Sequence, residues 1–264
     1  MFWALFMSLL FLSGSWLSGL FSHKGVAFNL SYGIAGTISV ILATWIFLKI
    51  EKRSFRDIGL IWERKTIYRF FKGILIGTII FSGIILILLA FTALQWQKGI
   101  YGLRTKDVAA YLTIIPLALM EELAFRAYPF LKLNKVLGLR ITQVVVAIVF
   151  ALYHIICGWD VSIAFLGPGV WALVFGLAAI WSGGIAVPTG IHVALNVWQS
   201  MVGMKDNFGS VWILKYNGPA TDATIAKTEM VGLMTQLLVF VCAVILTEYY
   251  IRKKQKNRLT KKAL

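Results

Sequence analysis

Acidic residues are scarce in this chain. Eleven Asp and Glu stand against 26 Lys and Arg, and all charged residues together make up 14% of 264 positions while 59% are hydrophobic. With a mean hydropathy of +0.80, this excludes an ordinary soluble domain. Cysteine is scarcer still. Cys157 and Cys242 have no nearby partner in sequence and no metal-ligand spacing, which excludes a disulfide framework and a cysteine zinc site. Both thiols are expected to be buried and free. No internal repeat and no low-complexity linker divides the chain. That favours one integral-membrane domain over 1–264 and speaks against a transporter with Glu/His proton relays, since transporters are often built from repeated halves.

Long uncharged runs fill the rest. A helix needs about 20 apolar residues to cross the hydrocarbon core. Met1–Ser22, Gly25–Leu48, Gly73–Leu94 and Met230–Thr247 carry no charge. Ile141–Trp159 carries only His154, and Val161–Met204, long enough for two passes, carries only His192. Val108 to about Phe130 is apolar apart from one Glu-Glu-Arg patch. The expectation is an all-α polytopic bundle of about eight transmembrane helices. The first run lacks the basic n-region and small-residue site of a cleaved signal peptide, so it is read as a retained helix.

The basic residues cluster. Lys49–Lys72, Arg126–Arg140 and the tail 252–264 hold 19 of the 26. An eight-helix order places these three regions on one side, with both termini cytoplasmic by the positive-inside rule. The neutral connection Lys205–Glu229 falls outside. The basic tail suits anionic lipid, and with no soluble domain to carry the charge, no nucleic-acid partner is expected. Ser54–Trp62 is amphipathic, with Phe55, Ile58, Leu60 and Trp62 expected to dip into the bilayer interface. Lys98–Asp107 reads as a polar connection. Pro129 limits or kinks the helix that ends near Arg126. Gly167-Pro168-Gly169 marks a break and Ser182-Gly183-Gly184 a turn. Pro188 and Gly190 suggest a locally opened helix just before His192.

Three polar patches interrupt the apolar runs: Glu121-Glu122-x-x-x-Arg126, Phe150-x-x-x-His154 and His192-x-x-x-Asn196. Ionisable groups inside membrane segments are costly, which makes them functional candidates. Glu122 and Arg126 share one helical face and suit an ion pair. Glu121 is rotated by about 100°, and no second intramembrane Arg or Lys is available to neutralise it. A desolvated carboxylate of this kind is a good general base near neutral pH. His192 and Asn196 share a face, and imidazole and carboxamide both donate hydrogen bonds, as oxyanion stabilisation requires. Two arrangements of water remain open. Glu121 and His154 could hold it directly, or Glu121, His154 and His192 could ligate a divalent metal such as zinc. No His-x-x-x-His signature is present. Ser200 and Cys157 lack a recognisable nucleophile context.

The order of these motifs resembles the CPBP intramembrane proteases, the CAAX prenyl endopeptidase and bacteriocin-processing group also called the Abi family. The flanking Arg53-Ser-Phe-Arg-Asp-Ile-Gly-Leu60 and Gly183-Gly-Ile-Ala-Val-Pro-Thr-Gly-Ile-His192 agree, so the similarity runs from about Arg53 to Met201. The resemblance implies an eight-helix core with a catalytic region over about 53–201, opening toward cytoplasm or lipid. It implies that Glu121 activates water with help from His154, that His192 and Asn196 form the oxyanion hole, and that Glu122 and Arg126 support the site. It implies a membrane-associated peptide or protein substrate and no required cofactor, with one zinc ion as the alternative. The expected location is a bacterial plasma membrane. A non-catalytic immunity or scaffold protein is the competing function, and it would tolerate loss of Glu121 or His154.

Overall fold

In a bilayer, uncharged runs this long must satisfy every backbone group internally, and a helix is the way one segment does so. Helices are what the chain forms. The computed structural model describes residues 1–21, 25–99, 102–205 and 209–263, with the side chains of 258, 259 and 261–263 left aside. The long elements are α1 (Phe2–Leu20), α2 (Val26–Ile50), α3 (Arg64–Phe91), α4 (Thr105–Arg126) and α5 (Tyr128–Ile156). They are followed by the short α6 (Val161–Ala164), a π turn (Phe165–Gly169), α7 (Val170–Ser182), α8 (Ala186–Met201) and α9 (Asp222–Ala263). The result is an all-α integral-membrane bundle.

Six stretches among the described residues are long and apolar enough to cross a membrane. Thr105–Ile156 counts as one of them although it holds both α4 and α5. The two part at Ala127 (φ −86°, ψ −114°), where Pro129 sits in the first turn of α5. Helix α8 has 16 residues, below the length of a full span. The expected count of eight is therefore not reached by this measure.

Several local expectations change. The basic stretch that separates two apolar runs is itself helical, since α5 begins at Tyr128 and breaks at Gly138 (φ 76°, ψ 168°). The C-terminal basic segment continues α9. Helix α8 does not open at Pro188, which lies in its first turn, where a missing N–H costs nothing. Ile58 is buried, and Phe55 and Leu60 pack against the core rather than into lipid, leaving Trp62 exposed. The short 3₁₀ turn that places them (Phe55–Ile58) is closed by a Ser54–Asp57 capping box. Both Cys157 and Cys242 are exposed, not buried. The π turn and the left-handed Gly183 (φ 71°) stand where a break and a turn were expected.

The two polar connections also hold more order than their composition announces. Leu94–Lys98 (β1) and Trp212–Tyr216 (β2) pair antiparallel, with Trp96 opposite Leu214. Residues 100–101 and 206–208 of these connections lie outside the described residues. Trp96, Trp212, Trp198 and Phe81 form a chain of ring contacts that ties the two-stranded sheet to α8 and α3.

Two close approaches position the site. Helices α3 and α8 meet so tightly that a Cβ on Gly73 would strike Val187 O, and one on Gly190 would strike Phe70 O. On the other side α1 buries Phe2, Phe6 and Leu10 in a core shared with Met120, Phe125, Phe130 and Phe150. Trp3 Nε1 donates to Ala124 O at 3.0 Å, anchoring α1 to the polar turn of α4.

Candidate active site

Helix α4 brings two consecutive glutamates into an apolar bundle, and the helical period sends them in different directions. The Glu122 side chain is fully buried, while that of Glu121 keeps 16% of its surface exposed. Arg126, one turn on, is also fully buried and places Nη1 3.3 Å from Glu122 Oε1. Its guanidinium lies over the Phe150 ring at 4.2 Å and the Phe175 ring at 5.1 Å. Aromatic faces stabilise a desolvated cation by cation–π attraction. The expected Glu122–Arg126 pair is therefore present.

Glu122 has a second partner that sequence spacing did not announce. His192 Nδ1 lies 2.8 Å from the same Oε1. Arginine stays charged at any working pH and is the natural counter-ion of a Glu122 carboxylate. A carboxylate only accepts, so His192 donates from Nδ1. Phe175 stacks on the His192 ring at 4.6 Å with planes 15° apart, fixing its orientation. The other nitrogen, Nε2, faces Glu121 Oε2 at 3.7 Å. That gap is too long for a hydrogen bond. Glu121 Oε2 is itself buried without a protein partner.

His154, near the end of α5, has Nδ1 2.9 Å from the Phe150 carbonyl. A carbonyl only accepts, so Nδ1 holds the proton, and in the neutral ring Nε2 is an acceptor. Phe150 and Trp159 pack edge-on against the imidazole at 4.6 and 5.2 Å. The Glu121 charge reaches His154, Tyr32, Tyr153 and Lys205. Asn196, one turn beyond His192 on α8, accepts from Lys205 Nζ at 2.8 Å through Oδ1.

Glu121, Glu122, Arg126 and His192 thus meet directly, His154 lies within electrostatic range, and Asn196 occupies the next turn of α8. Among the described residues, no group of three His, Cys, Asp and Glu is arranged to hold a metal ion, and Glu121, His154 and His192 form no such group. Ser200 Oγ donates to Asn196 O within its own helix at 2.7 Å. A cation outside the apolar runs lies within electrostatic range of Glu121. It is Lys205, which follows α8 in the connection to β2, beyond the apolar run. Burial holds its pKa down to about 8 from 10.5, with the Glu121 charge pulling the other way. The only signal in the sequence was its place four residues past the end of α8.

Residues 104–198 match the family model described as type II CAAX prenyl endopeptidase Rce1-like. The stretch contains every residue of the three patches and ends before Lys205. At the level of the family it supports an intramembrane endopeptidase. No curated protein and no solved structure matches the chain.

Proposed function

We propose that this chain, whose residues 104–198 match the Rce1-like type II CAAX prenyl endopeptidase model, cleaves a peptide bond of a membrane-associated substrate with a water activated by Glu121. The single observation that carries this reading is the approach of Glu121 and His192 to 3.7 Å, with a buried Glu122–Arg126 pair behind the imidazole. Glu121 keeps part of its surface accessible and lacks a hydrogen-bond partner on Oε2, so it is free to take a proton from water. His154 accepts from the same water at Nε2, because Phe150 O has already claimed its Nδ1 proton.

The water oxygen adds to the scissile carbonyl carbon as its proton moves to Glu121. The negative charge then gathers on the carbonyl oxygen. Asn196 donates to it from Nδ2, and His192 from Nε2. With Nδ1 committed to Glu122, His192 donates from Nε2 only when it carries both ring protons, and the Glu121 and Glu122 carboxylates together offset the Arg126 and His192 cations before water is deprotonated. Breaking the C–N bond releases the amine, which takes the proton back from Glu121. No metal is part of this scheme.

The test compares wild type with Glu121→Gln on a membrane peptide library in micelles, read by mass spectrometry, with and without chelator. Wild type is expected to cleave, the variant to lose about 10²–10⁴-fold as for a general base, and chelator to change nothing. A Glu121→Gln protein that cleaves like wild type overturns the assignment. Inhibition by chelator replaces direct water activation with a metal-assisted scheme.

A further inference from the structure

We infer that Lys205 is a positioning residue of the site: its ammonium orients the Asn196 carboxamide so that the amide NH₂ faces the developing oxyanion. This rests on the hydrolytic function proposed above. A carboxamide presents an acceptor on one branch and a donor on the other, and the two are nearly the same shape. Asn196 is useful as an oxyanion donor only if Nδ2, not Oδ1, points at the substrate. Helix α8 alone does not decide which branch that is.

Lysine decides it. An ammonium has three donors and no acceptor, so the branch facing Nζ at 2.8 Å must be Oδ1. Nδ2 is thereby turned to the other side. The lysine is held in place by the turn that ends α8. Gly203 adopts a left-handed φ of 76°. Gly203 N donates to Ser200 O, Met204 N to Gln199 O, and Val211 N to Met201 O. Tyr111 of α4 donates to Gly209 O, which ties the far side of the same connection to the helix that bears Glu121. The donor branch of Asn196 is in this way aimed before any substrate binds. Preorganised donors of this kind need no rearrangement during the reaction.

The experiment uses the full-length protein in micelles and, as probe, the library peptide that wild type cleaves fastest. Lys205→Met is expected to lower kcat about 10–100-fold, below the 10²–10³-fold loss typical of deleting an oxyanion donor itself, with little change in KM. Lys205→Arg keeps a charged donor and is expected to recover most of the rate. In a double-mutant cycle, Lys205→Met is expected to cost nothing further once Asn196→Ala is present. Wild-type rates for Lys205→Met, or losses that multiply in the double variant, overturn the inference. A second measurement is independent of turnover. Acetylation of Lys205 by an amine-reactive ester, read by mass spectrometry, is expected to run several-fold faster in Asn196→Ala than in wild type, and equal rates overturn the contact. If the contact is seen by labelling but wild type shows no Glu121-dependent cleavage, the hydrolytic function fails and the positioning role falls with it.

Discussion

Replacing Glu122 with glutamine removes one charge from the centre of the bundle and almost nothing else. The amide keeps an oxygen where Oε1 now accepts from His192 Nδ1 at 2.8 Å, so that hydrogen bond survives. The loss falls on Arg126, a fully buried guanidinium 3.3 Å from the same oxygen. Its Nε and Nη2 have no other protein partner. Removing one member of a buried ion pair typically costs about 3–5 kcal/mol, because the other charge is left uncompensated. The stacking of Arg126 on Phe150 and Phe175 persists, and a desolvated cation–π contact is worth about 2 kcal/mol. The expected destabilisation is therefore near the lower end, about 3 kcal/mol. Arg126→Met should also destabilise, by removing the carboxylate's arginine and leaving it the hydrogen bond from His192 Nδ1. The double variant Glu122→Gln, Arg126→Met should be milder than either, since replacing a buried pair outright is often neutral. Unfolding in micelles, followed by tryptophan fluorescence for all four proteins, measures this cycle. If Glu122→Gln unfolds like wild type, or the double variant loses the sum of the single losses, the pair is not a coupled buried unit and the reasoning fails.

Two further perturbations probe the frame around the site. Gly190→Val drives a side chain into Phe70 O where α8 crosses α3, and overpacking of this kind costs about 1–3 kcal/mol. Because His192 and Asn196 ride on the same helix, cleavage should fall with stability, and a variant with normal melting and normal turnover would refute the close crossing. Glu51 tests pH dependence at the end of α2. Hydrogen bonds from Lys132 and Tyr128, each 2.6 Å, hold its carboxyl below the ordinary carboxylate value of 4.5. A lowered folded pKa stabilises the protein fully above 4.5, and that contribution disappears as pH falls through the folded value. The melting-temperature gap between wild type and Glu51→Gln should accordingly narrow below about pH 4.5, and a gap constant across that range would contradict it.

Most of the fold was legible because lipid leaves a chain few choices. Uncharged runs of sufficient length become helices, and their approximate positions follow from composition alone. What could not be read was where helices continue through polar sequence. The basic stretch after Arg126 separates two apolar runs, yet its backbone is helical from Tyr128 to the break at Gly138, with Lys132 and Arg140 meeting Glu51 and Glu248 across the bundle. Charges at the end of a span satisfy partners on other helices as readily as they satisfy water, and hydropathy does not register the difference. Pro188 misled for a related reason. A proline opens a helix only in its interior, and the turn at Gly183 starts α8 late enough to put Pro188 in the first turn.

The site divides in the same way, between what one helix determines and what two helices determine together. That Glu122 faces Arg126 follows from a spacing of four, and that His192 and Asn196 share a face follows likewise. The bond from His192 to Glu122 joins residues 70 apart, and no periodicity contains it. Its consequence is chemical. With Nδ1 donating to Glu122, the second ring nitrogen of His192 is left as the one that faces Glu121, so in the proposed mechanism Glu122 orients the imidazole as well as pairing with Arg126. The same logic hid Lys205. A residue outside the apolar runs is assigned to solvent by composition, yet a four-carbon stem carries its charge back along the helix to Asn196, one turn past His192. Long cationic side chains at the ends of membrane helices therefore belong in any search for groups that act inside them.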